Sequence, residues 1–379
     1  MPSILFVTWD GGGNVPPALA IAKELQRGGA SVRFLGHARQ RPLIEDAGFP
    51  FEQYSAPGSW TATDKRSGLQ NVTGFLGVLC GRSLGADTLA SIAATPTDVV
   101  VVDCLLFGVL DTLDRAGVTR AVLVHSLYTA VERTMFAGAP GVVARLRRLN
   151  PRRLFARANL VLVATLEALD RPSAKRPRVD LNYVGAMIPR AKPSVRSTTP
   201  RVLVSLSTTW LPGQDAALQR ILNALATLPI EVVLTTGPAV EAATLTAPAN
   251  ATVSSYVPHA DLMPRVDLVV GHGGHATTLL ALAHDLPLVI LPMNPSFDQP
   301  IIAKAVERVG AGVALPKTAS ESAIRDAVET LLGEGTYRAA AAVFGAQIRG
   351  VDSPVLAAEA ILQIAVVARR PAAEATPPR

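Results

Sequence analysis

The chain has 379 residues, enough for two ordinary domains, and its 49% hydrophobic and 17% charged content excludes a disordered protein. No segment repeats at a fixed period, which excludes a solenoid. The net charge of +6 draws much of its excess from one run, "RLRRLNPRRLFAR", Arg145 to Arg157. Without interleaved aromatics that run suits no nucleic acid; it reads as a solvated helical face, with contact to an acidic lipid surface as the sharper alternative.

The N-terminal "MPSILFVTWD" lacks the basic region of a signal peptide, so a cytoplasmic protein is expected. From there, short apolar β-rich runs alternate with helical patterns: "ILFV" then "PPALAIAKEL", "VRFL", "DVVVVD", "AVLVHS" and "LVLVAT" closing at Thr165. Such alternation predicts an α/β fold, a parallel sheet wrapped by helices. The longest apolar run, "VVVVDCLLFGVL", is about a dozen residues and carries Asp103, too short and too interrupted to span a bilayer. Cys80 and Cys104 lack metal-type spacing and read as reduced core thiols.

From Asp170 to Arg201 the texture turns Pro-rich and basic, as in a domain linker. The alternation then restarts with "RVLVSLS", the helix "DAALQRILNALATL", and "IEVVLTT", "ATVSSY", "DLVVGH", "PLVILP" and "GVALP". A second doubly wound domain is expected. Helices near 320 to 332, 336 to 348 and 353 to 369 follow, and the last stretch, "RRPAAEATPPR", has too little apolar content to fold. Ligands of such sheets sit at the carboxyl ends of the strands, so the motifs belong at strand-to-helix turns.

His259, His272, His275 and His284 fall within 26 residues, which raises a zinc site. His272 ends a strand and His275 opens a helix, so the pair straddles a turn instead of sharing a helix face, and no Cys or spaced carboxylate completes a ligand set. No metal is expected. A phosphate uses every residue of the turn: Gly273 and Gly274 admit a close ligand, the helix offers free N–H groups and its positive end, and Thr277 and Thr278 add hydroxyls.

The stretch "HGGHATT...ALAHDLPLVILP...FDQPIIAKAVERVGAGVAL" resembles the signature of nucleotide-sugar-dependent glycosyltransferases of the GT-B fold, in which two Rossmann-like domains face a central cleft. The agreement runs from about Ser255 to Leu315, and "FVTWDGGGNVPPALAIAKELQRGGASVRFLG" is similar, more loosely, to the family's opening strand, loop and helix. The resemblance implies an acceptor-binding domain over 1–188, a donor-binding domain over 200–350, and a final stretch 351–379 whose helix packs back on the first domain. It implies that His272, Gly274, His275 and Thr277 contact the diphosphate, that Ser207 and Thr208 approach it from the other side, that Tyr256, Val257 and Pro258 line the base site, and that Asp298 and Gln299 bind the sugar hydroxyls. It implies a nucleotide-sugar as co-substrate with no further cofactor, and a small hydrophobic acceptor such as an aromatic or polyketide aglycone, read by residues 56–71 and 128–151.

Two positions depart from the family. Many members carry a Glu eight residues after the first His to accept both ribose hydroxyls; here Leu280 stands there, which favours dTDP over UDP. Relatives often place a His base in the first loop, oriented by an Asp after a later strand; here Asn14 stands for the His, while Asp103 matches the Asp. An amide cannot serve as a base, so the candidates are Asp10, then His125 and Asp103, with Asn14 lining the cleft. The expected chemistry is inverting displacement at the anomeric carbon, with the helix at His275 stabilising the leaving group. No Asp-x-Asp offers a metal clamp. Alternatives on the same fold are a lipid-directed transferase, a nucleotide-sugar epimerase, or a non-catalytic helper of a partner transferase. A dinucleotide-dependent oxidoreductase fails on Pro16, which replaces the third Gly of the fingerprint.

Overall fold

The computed structural model describes residues 1–55, 68–207 and 209–369. The first half builds a seven-stranded sheet from β1 (Ser3–Val7), β2 (Ser31–Gly36), β3 (Phe51–Gln53), β4 (Val99–Asp103), β5 (Arg120–Val124), β6 (Leu160–Val163) and β7 (Asn182–Tyr183), in the order β3-β2-β1-β4-β5-β6-β7. The second half builds a six-stranded sheet from β8 (Arg201–Ser205), β9 (Glu231–Thr235), β10 (Ala251–Ser254), β11 (Leu268–Gly271), β12 (Leu288–Ile290) and β13 (Gly312–Ala314), in the order β10-β9-β8-β11-β12-β13. Every strand pair in both sheets is parallel.

The central strands are unbroken apolar runs because helices cover both faces of each sheet. In β4 and β5 every residue is buried. Each sheet order reverses beside its first strand, which opens a crevice at the carboxyl ends of β1 and β4 in one sheet and of β8 and β11 in the other.

The two halves share one apolar cluster, in which Leu127, Ala130, Leu166 and Leu169 of the first pack with Met263, Leu279, Leu280 and Ile302 of the second. Arg308 caps the junction by donating to the Leu169 carbonyl at 2.9 Å. The helix Ser353–Arg369 crosses back to the first sheet, where Ala357, Ala358 and Ile361 pack with Ile21 and Leu25. Its last residue, Arg369, is bonded to the carboxylate of Asp98. Among the described residues no single helix is long and apolar enough to cross a membrane.

The basic run is not the single helical face expected from its sequence. It breaks into the helices Ala139–Leu146 and Pro151–Ala156, with Arg148 at a φ of 61° between them. Four of its guanidinium groups have partners within the chain, Arg145 at the Phe136 carbonyl, Arg147 at the Leu76 carbonyl, Arg152 at Glu132 and Arg157 at Asp114, while Arg145, Arg147 and Arg157 stay exposed. The carbonyls and carboxylates of neighbouring segments, invisible in a local reading, set this arrangement. Cys80 and Cys104 are free thiols in the core. Residues 370–379, read as an unfolded tail, lie outside the described residues.

The C-terminal helix is integral to the first domain's core, so Ile361→Ala, at a fully buried position, is expected to cost about 2–5 kcal/mol. Urea denaturation measures it; a change under about 0.5 kcal/mol shows that the helix is peripheral.

Candidate functional site

On the first sheet, β4 lies between β1 and β5, so Asp103, the loop after β1 and the residues after β5 converge. Asp103 is 6% exposed. Its Oδ1 accepts from the Trp9 indole Nε1 at 3.0 Å and from the Leu105 backbone at 3.0 Å. Its Oδ2 accepts from the Asn14 amide at 2.9 Å and faces His125 Nδ1 at 3.3 Å. Asn14, 3% exposed, also donates to the Trp9 carbonyl at 3.0 Å, and its Oδ1 is buried without a partner among the described residues.

Burial, the largest influence on Asp103, pushes its carboxyl up, but His125 and the Leu105 and Asn14 donors together hold it below the usual carboxylate range. For His125, burial pulls down, while the charge of Asp103 and the bonds to Asp103 and Cys104 lift it well above 6.5. Burial pushes the Cys104 thiol up, so it stays protonated 3.7 Å from His125 Nδ1. Asp103, Cys104 and His125 bring ligand-type atoms within 4.8 Å of one another. Donors already occupy both Asp103 oxygens and the thiol keeps its proton, so the group is a hydrogen-bonded cluster and not an open ligand set.

Asp10, the first-ranked base candidate, lies outside this cluster. Its backbone N–H donates to His37 Nδ1 at 3.3 Å, on the β2 side of β1, and its carboxylate joins none of the bonds around Asp103. Although Asp10 and Asn14 are four residues apart in sequence, the two turn to different partners, the Asp10 backbone to His37 and the Asn14 amide to Asp103.

On the second sheet, β11 ends at Gly271 and the helix His275–Ala283 begins four residues later. Gly273 adopts a φ of +85°, the left-handed region that favours glycine. A Cβ on Gly274 would lie 2.8 Å from the His272 ring. The helix has no side-chain cap at its start, which leaves its first N–H groups without the partner that such a cap would supply. Burial and the charge of His259 lower His272 to about 4 against a bond to the Ser205 backbone, and burial with the charge of His125 lowers His275 to about 3. Both rings are neutral at physiological pH. His275 Nε2 is buried without a partner among the described residues, an omission that costs about 1–3 kcal/mol unless a ligand fills it.

Thr277 is half-buried in the first turn of this helix and Thr278 is buried. Ser207 follows β8; its hydroxyl accepts from the Thr209 backbone at 3.0 Å and its carbonyl from Gln214. Thr208 lies outside the described residues, as do residues 56–67 of the expected acceptor loop; residues 68–71 open the helix Gly68–Cys80. Tyr256 is 72% exposed beside half-buried Val257. Leu280 is 8% exposed and belongs to the apolar cluster joining the two halves.

The four clustered histidines do not converge. His259 pairs with Thr235, and His284, at the far end of the helix, with the Lys192 carbonyl.

Asp298 stands at the start of the helix Gln299–Arg308 and accepts from Ser126 Oγ of the first sheet at 2.7 Å. Burial raises its carboxyl, with Ser126 and the charge of His125 acting in the other direction. Gln299 Oε1 accepts from the Met293 and Asn294 backbones, so its carbonyl holds the loop and its amide nitrogen is what remains for a ligand. Beside this bridge an aromatic chain crosses the cleft, Trp9 to Phe75 at 6.2 Å and Phe75 to Phe297 at 6.4 Å. Trp9 and Ser126 carry no motif and were not among the sequence candidates; their adjacency to Asp10 and His125 at strand ends was the one available signal.

Residues 219–362 match the family model of the C-terminal domain of erythromycin biosynthesis protein CIII-like proteins. The chain is 27% identical to a 4'-demethylrebeccamycin synthase of Lentzea aerocolonigenes over 94% of its own length and 98% of the relative's. Among solved structures it is similar to the calicheamicin glycosyltransferase (TM-score 0.78, 20% identity, 96% of this chain and 98% of that one). It is also similar to the glycosyltransferase VinC solved with dTDP (TM-score 0.72, 19% identity, 96% of this chain and 100% of that one).

If the turn at 272–275 is built for an anion, Gly274→Ala should displace the His272 ring and weaken inorganic pyrophosphate binding by about tenfold or more. Calorimetry on folded protein measures this; unchanged affinity shows that the ring and the turn do not form one site.

Proposed function

We propose that this chain, a glycosyltransferase of the GT-B fold, transfers a sugar from a dTDP-sugar to a small hydrophobic acceptor with inversion at the anomeric carbon. The observation that carries the donor reading is the turn from Gly271 to His275, with its left-handed Gly273, uncapped helix start and unpartnered His275 Nε2. A diphosphate oxygen would supply the acceptor that this nitrogen lacks. Positive helix ends and neutral N–H donors suit an anion whose charge grows as the leaving group departs.

In this reading residues 200–350 form the donor-binding domain. His272, Gly274, His275 and Thr277 hold the diphosphate, with Ser207 approaching it from the end of β8; Thr208, given the same role, lies outside the described residues. Exposed Tyr256, with Val257 and Pro258, offers the nucleobase a surface. Asp298 and the Gln299 amide nitrogen take sugar hydroxyls. Leu280, buried in apolar contact, makes no polar claim on the ribose, so loss of the 2′-hydroxyl should cost little and dTDP is favoured; VinC, solved with dTDP, is a relative in fold. Residues 1–188, with the helix from the 351–379 stretch on their core, form the acceptor-binding domain. In this reading donor capture rests on backbone N–H groups and imidazoles, and binding that needs no divalent ion is the expectation.

Calorimetric titration with dTDP and UDP in EDTA, on the native chain and His272→Ala, tests the reading. Tighter binding of dTDP that survives the chelator and is lost in the variant is the expected result; no nucleotide binding, or binding that requires a divalent metal, overturns it.

Neutral histidines also predict the pH dependence. His272 and His275, depressed to about 4 and about 3, gain no charge above pH 5, so the affinity for a dTDP-sugar should change by less than about threefold between pH 5 and 6.5. A steep rise in affinity toward pH 5 contradicts neutral donors.

A further inference from the structure

We propose that the group taking the acceptor's proton is Nε2 of His125, oriented by Asp103, and that Trp9 and Asn14 are positioning residues that hold that carboxylate; the inference rests on the transfer reading above. The loop position at which the resemblance places a His carries an amide that turns to Asp103 and donates to it at 2.9 Å. Asn14 has become a clamp. With Trp9 and Leu105 on Oδ1 and Asn14 on Oδ2, the remaining direction of Asp103 faces His125 Nδ1 at 3.3 Å. That contact sets the tautomer: Nδ1 carries the proton and Nε2 presents its lone pair.

Asp103 itself makes a poor base, because its oxygens are covered by donors that favour the anion. Ser126, next along the chain, bonds to Asp298 of the second half at 2.7 Å. The backbone therefore holds His125 near the carboxylate assigned to the sugar, with its side chain 19% exposed. The groups facing His125 are Asp103 and Cys104 from the end of β4, His275 from the start of its helix, and Asp298. His275 is neutral and the Cys104 thiol protonated, so Asp103 is the dominant charge in contact.

The step balances. The acceptor oxygen forms a bond to the anomeric carbon as the bond from that carbon to the diphosphate oxygen breaks, and that electron pair leaves with the nucleoside diphosphate. The acceptor's proton passes to Nε2, giving an imidazolium whose Nδ1–H points at Asp103; solvent recovers the proton after release.

The same carboxylate that orients the ring keeps it protonated in the free protein. Because His125 titrates above 6.5, the unprotonated base accumulates only as pH rises through that raised value, and the acid limb of kcat/KM lies above 6.5.

The test is a proton NMR titration of the histidine rings in the native chain, His125→Asn and Asp103→Asn, with dTDP affinity and transfer rates measured on the same samples. One resonance, absent in His125→Asn, should titrate above 6.5 and move down by about one unit or more in Asp103→Asn. His125→Asn should keep its dTDP affinity and lose about 10²- to 10⁴-fold in transfer to 2-naphthalenemethanol, with a smaller loss for 4-nitrophenol, which sheds its proton unaided. A His125 resonance at or below 6.5, or native rates with the alcohol in His125→Asn, overturns the proposal. If no nucleotide binds, the donor reading fails by itself, while the titration still decides whether Asp103 governs His125.

Discussion

A carboxylate taken out of water must be given donors, and the arrangement around Asp103 follows from that requirement. Four groups from three chain segments meet it: the Trp9 indole, the Asn14 amide, the Leu105 backbone and the His125 ring. Each contribution fixes something else. The indole and amide bonds pin the glycine-rich loop after β1, and the imidazole contact fixes the orientation of a partly exposed ring. A lone buried carboxylate would neutralise itself by taking up a proton; this one stays ionised because its donors outweigh its desolvation. Asp103 is thus a structural anchor and an electrostatic source in one group.

The two sheets meet with opposite charge logic. The first offers an anion that makes a neighbouring histidine basic. The second offers a helix start and two histidines that burial keeps neutral. An imidazolium beside His275 opposes protonation there, so the same charge that marks the first half's proton acceptor helps keep the second half's turn an uncharged donor set. The Ser126 to Asp298 bond and the contact between Phe75 and Phe297 bring these environments together across the cleft. An anionic leaving group and a nucleophile that must lose a proton need opposed surroundings, and each sheet supplies one.

Much of this is local and therefore legible in the sequence. The alternation of apolar runs and helical patterns foretells two parallel sheets, and a His-Gly-Gly-His turn between strand and helix states its own backbone geometry. Contacts that depend on strand register are not legible. Asp103 stands opposite Leu123 in the β4 to β5 pairing, so His125, two residues on, falls on the same face as that partner. Nothing in the sequence fixes that pairing. Asp10 and Asn14 are neighbours in the chain, yet in the loop after β1 the Asp10 backbone turns to His37 and the Asn14 amide to Asp103. The arginine run is largely solvated, as its sequence suggests, but its break into two helices and its pairing with Glu132, Asp114 and the carbonyls of Phe136 and Leu76 depend on groups that lie remote in sequence or hidden in backbone.

Asn14 shows why a motif departure is better read in space than in alignment. Set against the family pattern, it looks like a lost base and invites a non-catalytic reading. In the fold it is one of the donors that, with the His125 ring and the Leu105 backbone, hold Asp103 ionised, and the ionised Asp103 lifts the basicity of a histidine after the next strand. A proton acceptor at a cleft must reach the nucleophile and must have a partner that stabilises its charged form; neither demand names a position in the chain. Strand ends of a parallel sheet lie about 4.8 Å apart, closer than the span of one imidazole and one carboxylate together. A base can therefore stand on either side of the carboxylate that serves it, provided the vacated side supplies a donor in its place.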